Sequence, residues 1–201
     1  MKAITILQPY AALIAAGLKE YETRSWDTPY RGRIAIHSGK GKPYERGAEF
    51  YARAEKLLGR SMDELPKGDI IATADLVECY QVCGNAAGEK WLEGKPAINP
   101  DGTPKRDENG HRIGWEELPM PSEQEQYFGN YGVGFFAWKL ENIKVLKTPI
   151  TYRGNQRIWE VPDEIAAKIE ETEVKTEWNP KHTKSQCTQS SYQRLRFTKS
   201  A

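Results

Sequence analysis

A chain of 201 residues holds one core of ordinary size, and two full domains would each be small. Lys plus Arg number 29 and Asp plus Glu 28, so the net charge of +1 excludes a global field able to draw in a polyanion, and any nucleic-acid contact has to come from a local patch. The three cysteines, Cys79, Cys83 and Cys187, match no disulfide framework and indicate a reducing compartment; together with the scattered His37, His111 and His182 they lack the paired spacing zinc needs, so no metal or cofactor is expected.

Residues 2–7 carry the β-branched Ile4 and Ile6 and predict a first strand. Pro9 stands where a helix can begin without losing a backbone donor, residues 10–16 are rich in Ala and Leu, and Gly17 ends the helix. The opening apolar stretch is interrupted by Gln8, Pro9 and Tyr10 and has no cleavage region, which is unlike a secretory signal. No run approaches the roughly 20 apolar residues of a membrane helix, so the expected location is the cytoplasm, or the nucleus in a eukaryotic source.

The stretch KEYETRSW, residues 19–26, is too polar for a core and reads as the wall of a cleft. RGRIAIHS predicts a second strand over 33–38, and apolar residues near helical period predict an amphipathic helix over 44–58, closed by Gly59. DIIATADLVECY, residues 69–80, is the strongest strand signal. Residues 84–126 are polar, with Asp101-Gly102 and Asn109-Gly110 as turn signals, and read as a surface insertion holding one short hairpin. Strands are expected over 131–140 and 143–150, and a helix from Pro162 through Ile169. From Trp178 onward, Lys181, Lys184, Arg194, Arg196 and Lys199 face no acidic residue, the composition of a mobile nucleic-acid arm or simply of a free chain end. The pattern is an α+β fold: one domain over 1–165 with the 84–126 insertion, followed over 166–201 by a helix end and a basic tail.

Three segments resemble the ASCH domain of the PUA-like superfamily. QPYAALIAAGLKEYETRSW (8–26) is similar to a Gln-Pro-aromatic helix start followed by Gly-x-Lys-x-x-Glu-x-Arg and an aromatic; YRGRIAIHSGK (30–40) to an Arg/Gly lead into a strand ending in His; YGVGFFAWKLENI with YRGNQRIWEVPDE (131–164) to a closing strand pair and a Gly-x-x-x-Ile-Trp ending. DIIATADLVEC resembles the central strand. The resemblance implies a small mixed, mainly antiparallel β-barrel with flanking helices, whose cleft receives RNA, single-stranded DNA or a modified nucleobase.

The residues agree with that implication. In an extended chain Glu22, Arg24 and Trp26 share one face. Trp26 offers a stacking surface, Arg24 forked donors, Glu22 an acceptor for an exocyclic amine, and Lys19 a cation close by. A plain Glu22–Arg24 ion pair with Trp26 as a packed wall is the competing reading. Arg31, Arg33, His37 and Lys40, with Lys42, form the expected basic rim, HSGKGK being able to present backbone N–H groups to a phosphate or to stand as a solvated loop.

Some small bacterial relatives are amidohydrolases of acylated cytidine that use a lysine, a threonine three residues later and a glutamate. Lys19 matches the lysine, but Glu22 stands at the threonine position, and a carboxylate cannot replace a hydroxyl nucleophile without changing the intermediate. Retained hydrolysis would have Glu22 activating water and Lys19 stabilising the oxyanion. Other relatives cut RNA, for which only His37 stands near the expected cleft. Nucleic-acid binding leads, with a hydrolase as the alternative and a protein partner on the insertion or tail as the third possibility.

Overall fold

The computed structural model describes residues 1–41, 46–94, 99–100, 105, 108 and 117–174. Along the chain run β1 (Lys2–Ile6), α1 (Tyr10–Ala15), β2 (Tyr21–Arg24), β3 (Gly32–Ser38), α2 (Ala48–Leu58), β4 (Asp69–Gly84), β5 (Lys90–Glu93), β6 (Glu117–Pro119), α3 (Glu123–Tyr127), β7 (Phe136–Thr151), β8 (Ile158–Glu160), α4 (Asp163–Thr172) and β9 (Glu173–Val174). The turn signals at 101–102 and 109–110, Lys42, Cys187 and the basic tail lie outside the described residues.

The strands form one mixed sheet of order β2-β7-β4-β3-β1-β8, with β5 and β6 extending from β4 and β9 added to β7. β1 and β3 pair in parallel, which requires a crossover between them, and α1 with β2 supplies it. The backbone ladder is open and ends at β2 and β8. A side chain reaches from one end toward the other: Arg24 Nη2 on the end strand β2 donates to Thr5 O, at 2.8 Å, on β1, the neighbour of the other end strand β8.

Helix α1 explains its own composition. Ala11 to Ala15 are all buried, with Ala11, Ile14 and Ala15 facing the main core beneath the sheet and Ala12 and Leu13 facing a second core under α2. A helix covered on every side has no place for a polar residue. Gln8 is buried ahead of it; its Oε1 accepts from the Ala12 N–H at 3.0 Å and its Nε2 donates to Pro66 O at 2.8 Å. Gly17 ends the helix at φ +69°, its N–H bonding Ile14 O while that of Leu18 bonds Leu13 O, so both last carbonyls are satisfied.

Two expectations change. The strands expected over 131–140 and 143–150 are one strand, β7, because Asn142 takes φ +49° in mid-strand and β4 shifts register opposite it, which absorbs the irregularity without ending the pairing. The expected surface insertion also enters the interior: Leu92 on β5 is buried with Val82, Tyr131 and Ala137, and Glu125 on α3 is buried against the turn before β2.

Candidate functional site

Alternation along β2 sends Glu22 and Arg24 to the same side, where Arg24 Nε lies 2.9 Å from Glu22 Oε1. The contact is ionic rather than a well-aligned hydrogen bond, since Nε finds no aligned acceptor. Glu22 is buried and Arg24 partly open. Trp26, half-buried just past the strand, packs edge-on against the fully buried Trp138 with ring centroids 4.6 Å apart and planes at 86°. The Arg157 guanidinium stands 5.8 Å over the Trp26 ring. The backbone behind this group is fixed through Thr5. Its carbonyl takes Arg24, its hydroxyl donates to Asn155 O at 2.8 Å, and the hydroxyl oxygen accepts from Trp159 Nε1 at 3.2 Å.

Lys19 is only 1% exposed, and its Nζ donates to Glu125 Oε1 at 2.8 Å. Glu125 also accepts the backbone N–H of Glu20 at 2.7 Å, that of Tyr21 at 3.3 Å and the Tyr131 hydroxyl at 3.3 Å. Burial and the Glu125 carboxylate together push the Tyr131 phenol far above its ordinary pKa, so it remains a donor at any physiological pH. An open pocket of about 390 Å³ lies between the Gly17–Tyr21 turn and the Pro121–Glu125 segment, and Lys19 is not among its lining residues.

The rim residues sort by their partners. Arg31 pairs with Glu78 and donates to the carbonyls of Thr28 and Tyr30 at 2.8 and 2.9 Å. Arg33 bonds Thr73, Glu173 at 2.8 Å, Asp75 at 3.3 Å and Asn142 O at 3.1 Å. Lys40 is exposed. His37 is 2% exposed, its Nε2 3.1 Å from Tyr152 O and its ring 5.9 Å from that of Trp159. The fold thus brings Glu22, Arg24 and Trp26 together, turns Lys19 into a buried pair, gives Arg31 and Arg33 carboxylate partners, and packs His37 beneath residues 152–155.

Burial lowers the His37 pKa below the ordinary 6.5, against opposing help from the Tyr152 carbonyl and Asp69. The folded state therefore prefers the neutral ring, and the sign follows: its contribution to stability is complete above pH 6.5 and is lost as pH falls through the folded-state value. The melting temperature is expected to drop as the pH is lowered below 6.5, and to drop less in His37→Gln. Equal drops in the two proteins would remove His37 as the cause.

Sequence reasoning missed two neighbours of the site. Tyr10, read only as a helix residue, is half-buried beside Glu22; burial raises its pKa while the nearby Arg46 opposes the rise. Arg157, in the left-handed region at φ +58°, sits inside the YRGNQRIWEVPDE segment, but nothing local says it reaches Trp26. Among the described residues no group of three or more His, Cys, Asp or Glu is placed to hold a metal ion, and no helix is long and apolar enough to cross a membrane.

Comparison with known proteins agrees with the motif evidence. The ASCH domain family model matches residues 4–197. Activating signal cointegrator 1 from Homo sapiens and that from Mus musculus are each 34% identical over 80 residues, 38% of this chain and only 14% of the relative's length. With the family model spanning nearly all of an α+β fold built on one mixed sheet, this chain belongs to the ASCH domain family.

Proposed function

We propose that this chain binds single-stranded nucleic acid, or a modified nucleobase, at the surface formed by Glu22, Arg24 and Trp26 together with Tyr10 and Arg157. The observation that carries the reading is Trp26, half-open, held edge-on by Trp138 and overlain by a cation. An aromatic face fixed in place before binding loses little entropy when a base stacks on it, and each such stack contributes about 1–3 kcal/mol. Glu22 and Arg24 place an acceptor and donors beside that face for a ring edge. Arg24, reaching from the end strand β2 to β1 across the open side of the ladder, supports reading the sheet as an incomplete barrel of PUA-like type. Lys40 is the exposed rim cation, whereas Arg31 and Arg33 carry their own acids and add little net charge. The hydrolase alternative draws no support from Lys19, whose ammonium is committed to Glu125.

Trp26→Ala is expected to weaken binding of a labelled single-stranded oligonucleotide by about 5- to 150-fold, read by fluorescence anisotropy. A Glu22→Gln/Arg24→Gln variant, which removes both charges and leaves an amide at each position, is expected to alter base preference more than affinity. Unchanged binding by both variants, at low salt and at high salt, would place the ligand elsewhere.

A further inference from the structure

The arginines around this site fall into two chemical sets. Arg24, Arg31 and Arg33 hold carboxylates. Arg46, Arg53 and Arg157 are exposed, have no carboxylate partner among the described residues, and lie instead over aromatic rings: Arg46 at 5.4 Å from Phe50, Arg53 at 4.3 Å from Tyr127, Arg157 at 5.8 Å from Trp26. A guanidinium lying on a ring is partly desolvated on that side and keeps its N–H fork for a planar or tetrahedral anion. Among the described residues those three cations have no carboxylate to neutralise them, and Arg46 also interacts with the Tyr10 hydroxyl.

The rings beneath them sit on two adjoining cores that share Tyr10. Tyr10 packs both against the core that carries Trp26 and against the one that carries Phe50. Tyr10 and Phe50 centroids are 5.8 Å apart, and Phe50 stacks on Tyr127 at 5.8 Å and 22°. The aromatic groups thus lie on adjoining cores from Trp26 past the start of α1 to α2 and the end of α3, with an exposed arginine over each of Trp26, Phe50 and Tyr127.

Resting on the base-binding reading above, we infer that Arg157, Arg46 and Arg53 contact phosphates of one single strand, whose bases turn toward Trp26 and Tyr10. A single strand fits better than a duplex because the half-open rings can be covered only by unpaired bases. It fits better than an acidic polypeptide because acidic side chains carry no ring to stack on the half-buried aromatics.

The test is anisotropy titration of the full chain with a fluorescein-labelled mixed-sequence RNA of about 12 nucleotides and its DNA counterpart, across a salt series, for the parent and for Arg46→Gln, Arg53→Gln, Arg157→Gln and the triple variant. Removing one arginine–phosphate pair is expected to flatten the slope of log affinity against log salt by about 0.7, and in about 0.1 M salt to weaken binding about 5-fold singly and about 100-fold in the triple variant. A parent-like slope in the triple variant, with or without a lower melting temperature, would overturn the track and leave the Trp26 site standing. Loss of binding in the triple variant alongside a neutral Trp26→Ala would do the reverse. Poly-glutamate competing as well as the RNA, charge for charge, would overturn the nucleic-acid assignment, and a parent that binds neither oligonucleotide would end both readings.

Discussion

Replacing Lys19 with alanine is expected to destabilise the protein by about 3–5 kcal/mol, because it strands a buried carboxylate. Glu125 reaches the interior from α3 and gathers four donors there, of which the Lys19 ammonium is the only charged one. Without it an anion remains among groups that stabilise it only as dipoles, and solvent cannot replace the lysine where the pair is 1% and 6% exposed. Removing the whole ion pair should be far milder. Lys19→Met fills the stem's volume, and Glu125→Gln keeps an oxygen for the Glu20 amide, the shorter of the two backbone bonds, so the double variant should recover more than half of the loss seen in Lys19→Ala. Urea denaturation followed by circular dichroism decides it: a Lys19→Ala protein within about 1 kcal/mol of the parent would show the pair to be dispensable. Until that measurement is made, loss of any activity in a Lys19 variant reports on folding first.

The elements that could be read from the sequence are those specified by their own residues. α1 follows from Pro9, an unbroken apolar run and Gly17; β3 and β4 follow from β-branched strings that the sheet buries; α2 follows from apolar spacing and Gly59. Partners of charges were not legible, because they are set by tertiary distance. Arg31 meets Glu78 across 47 positions, Lys19 meets Glu125 across 106, and Arg33 meets Glu173 across 140. No local pattern distinguishes an arginine that will hold a carboxylate from one that will lie on a ring, yet that difference separates neutral rim residues from the cations left for a ligand. The polarity of residues 84–126 misled for the same reason, since the burial of Leu92 and Glu125 within it is set by tertiary packing and not by local pattern. The pairing of Glu22 with Arg24 was legible because period-2 alternation is a local rule, and β2 obeys it, whereas the strand ends before Trp26.

Gly154→Ala is expected to cost about 2–3 kcal/mol and to weaken nucleic-acid binding as well, through one steric cause. A Cβ at residue 154 would press on His37 Cε1 and lie 2.5 Å from its Nδ1 and 2.7 Å from Thr5 Oγ1. The backbone cannot easily retreat, because it is bonded on both sides of that point: Tyr152 O to His37 Nε2, and Asn155 O to the Thr5 hydroxyl. The ring cannot retreat either, being packed against Trp159 in a side chain 2% exposed. Some of these bonds must break, and the segment that lifts is the one that carries Arg157 over Trp26. Shrinking the obstacle supplies the control. His37→Ala opens space where the new methyl would go, so the His37→Ala/Gly154→Ala double variant should be less destabilised than the sum of the two single variants by about 1 kcal/mol or more. Simple additivity across that cycle, or a Gly154→Ala protein that melts and binds like the parent, would mean that this close approach neither limits the fold nor holds Arg157 in place.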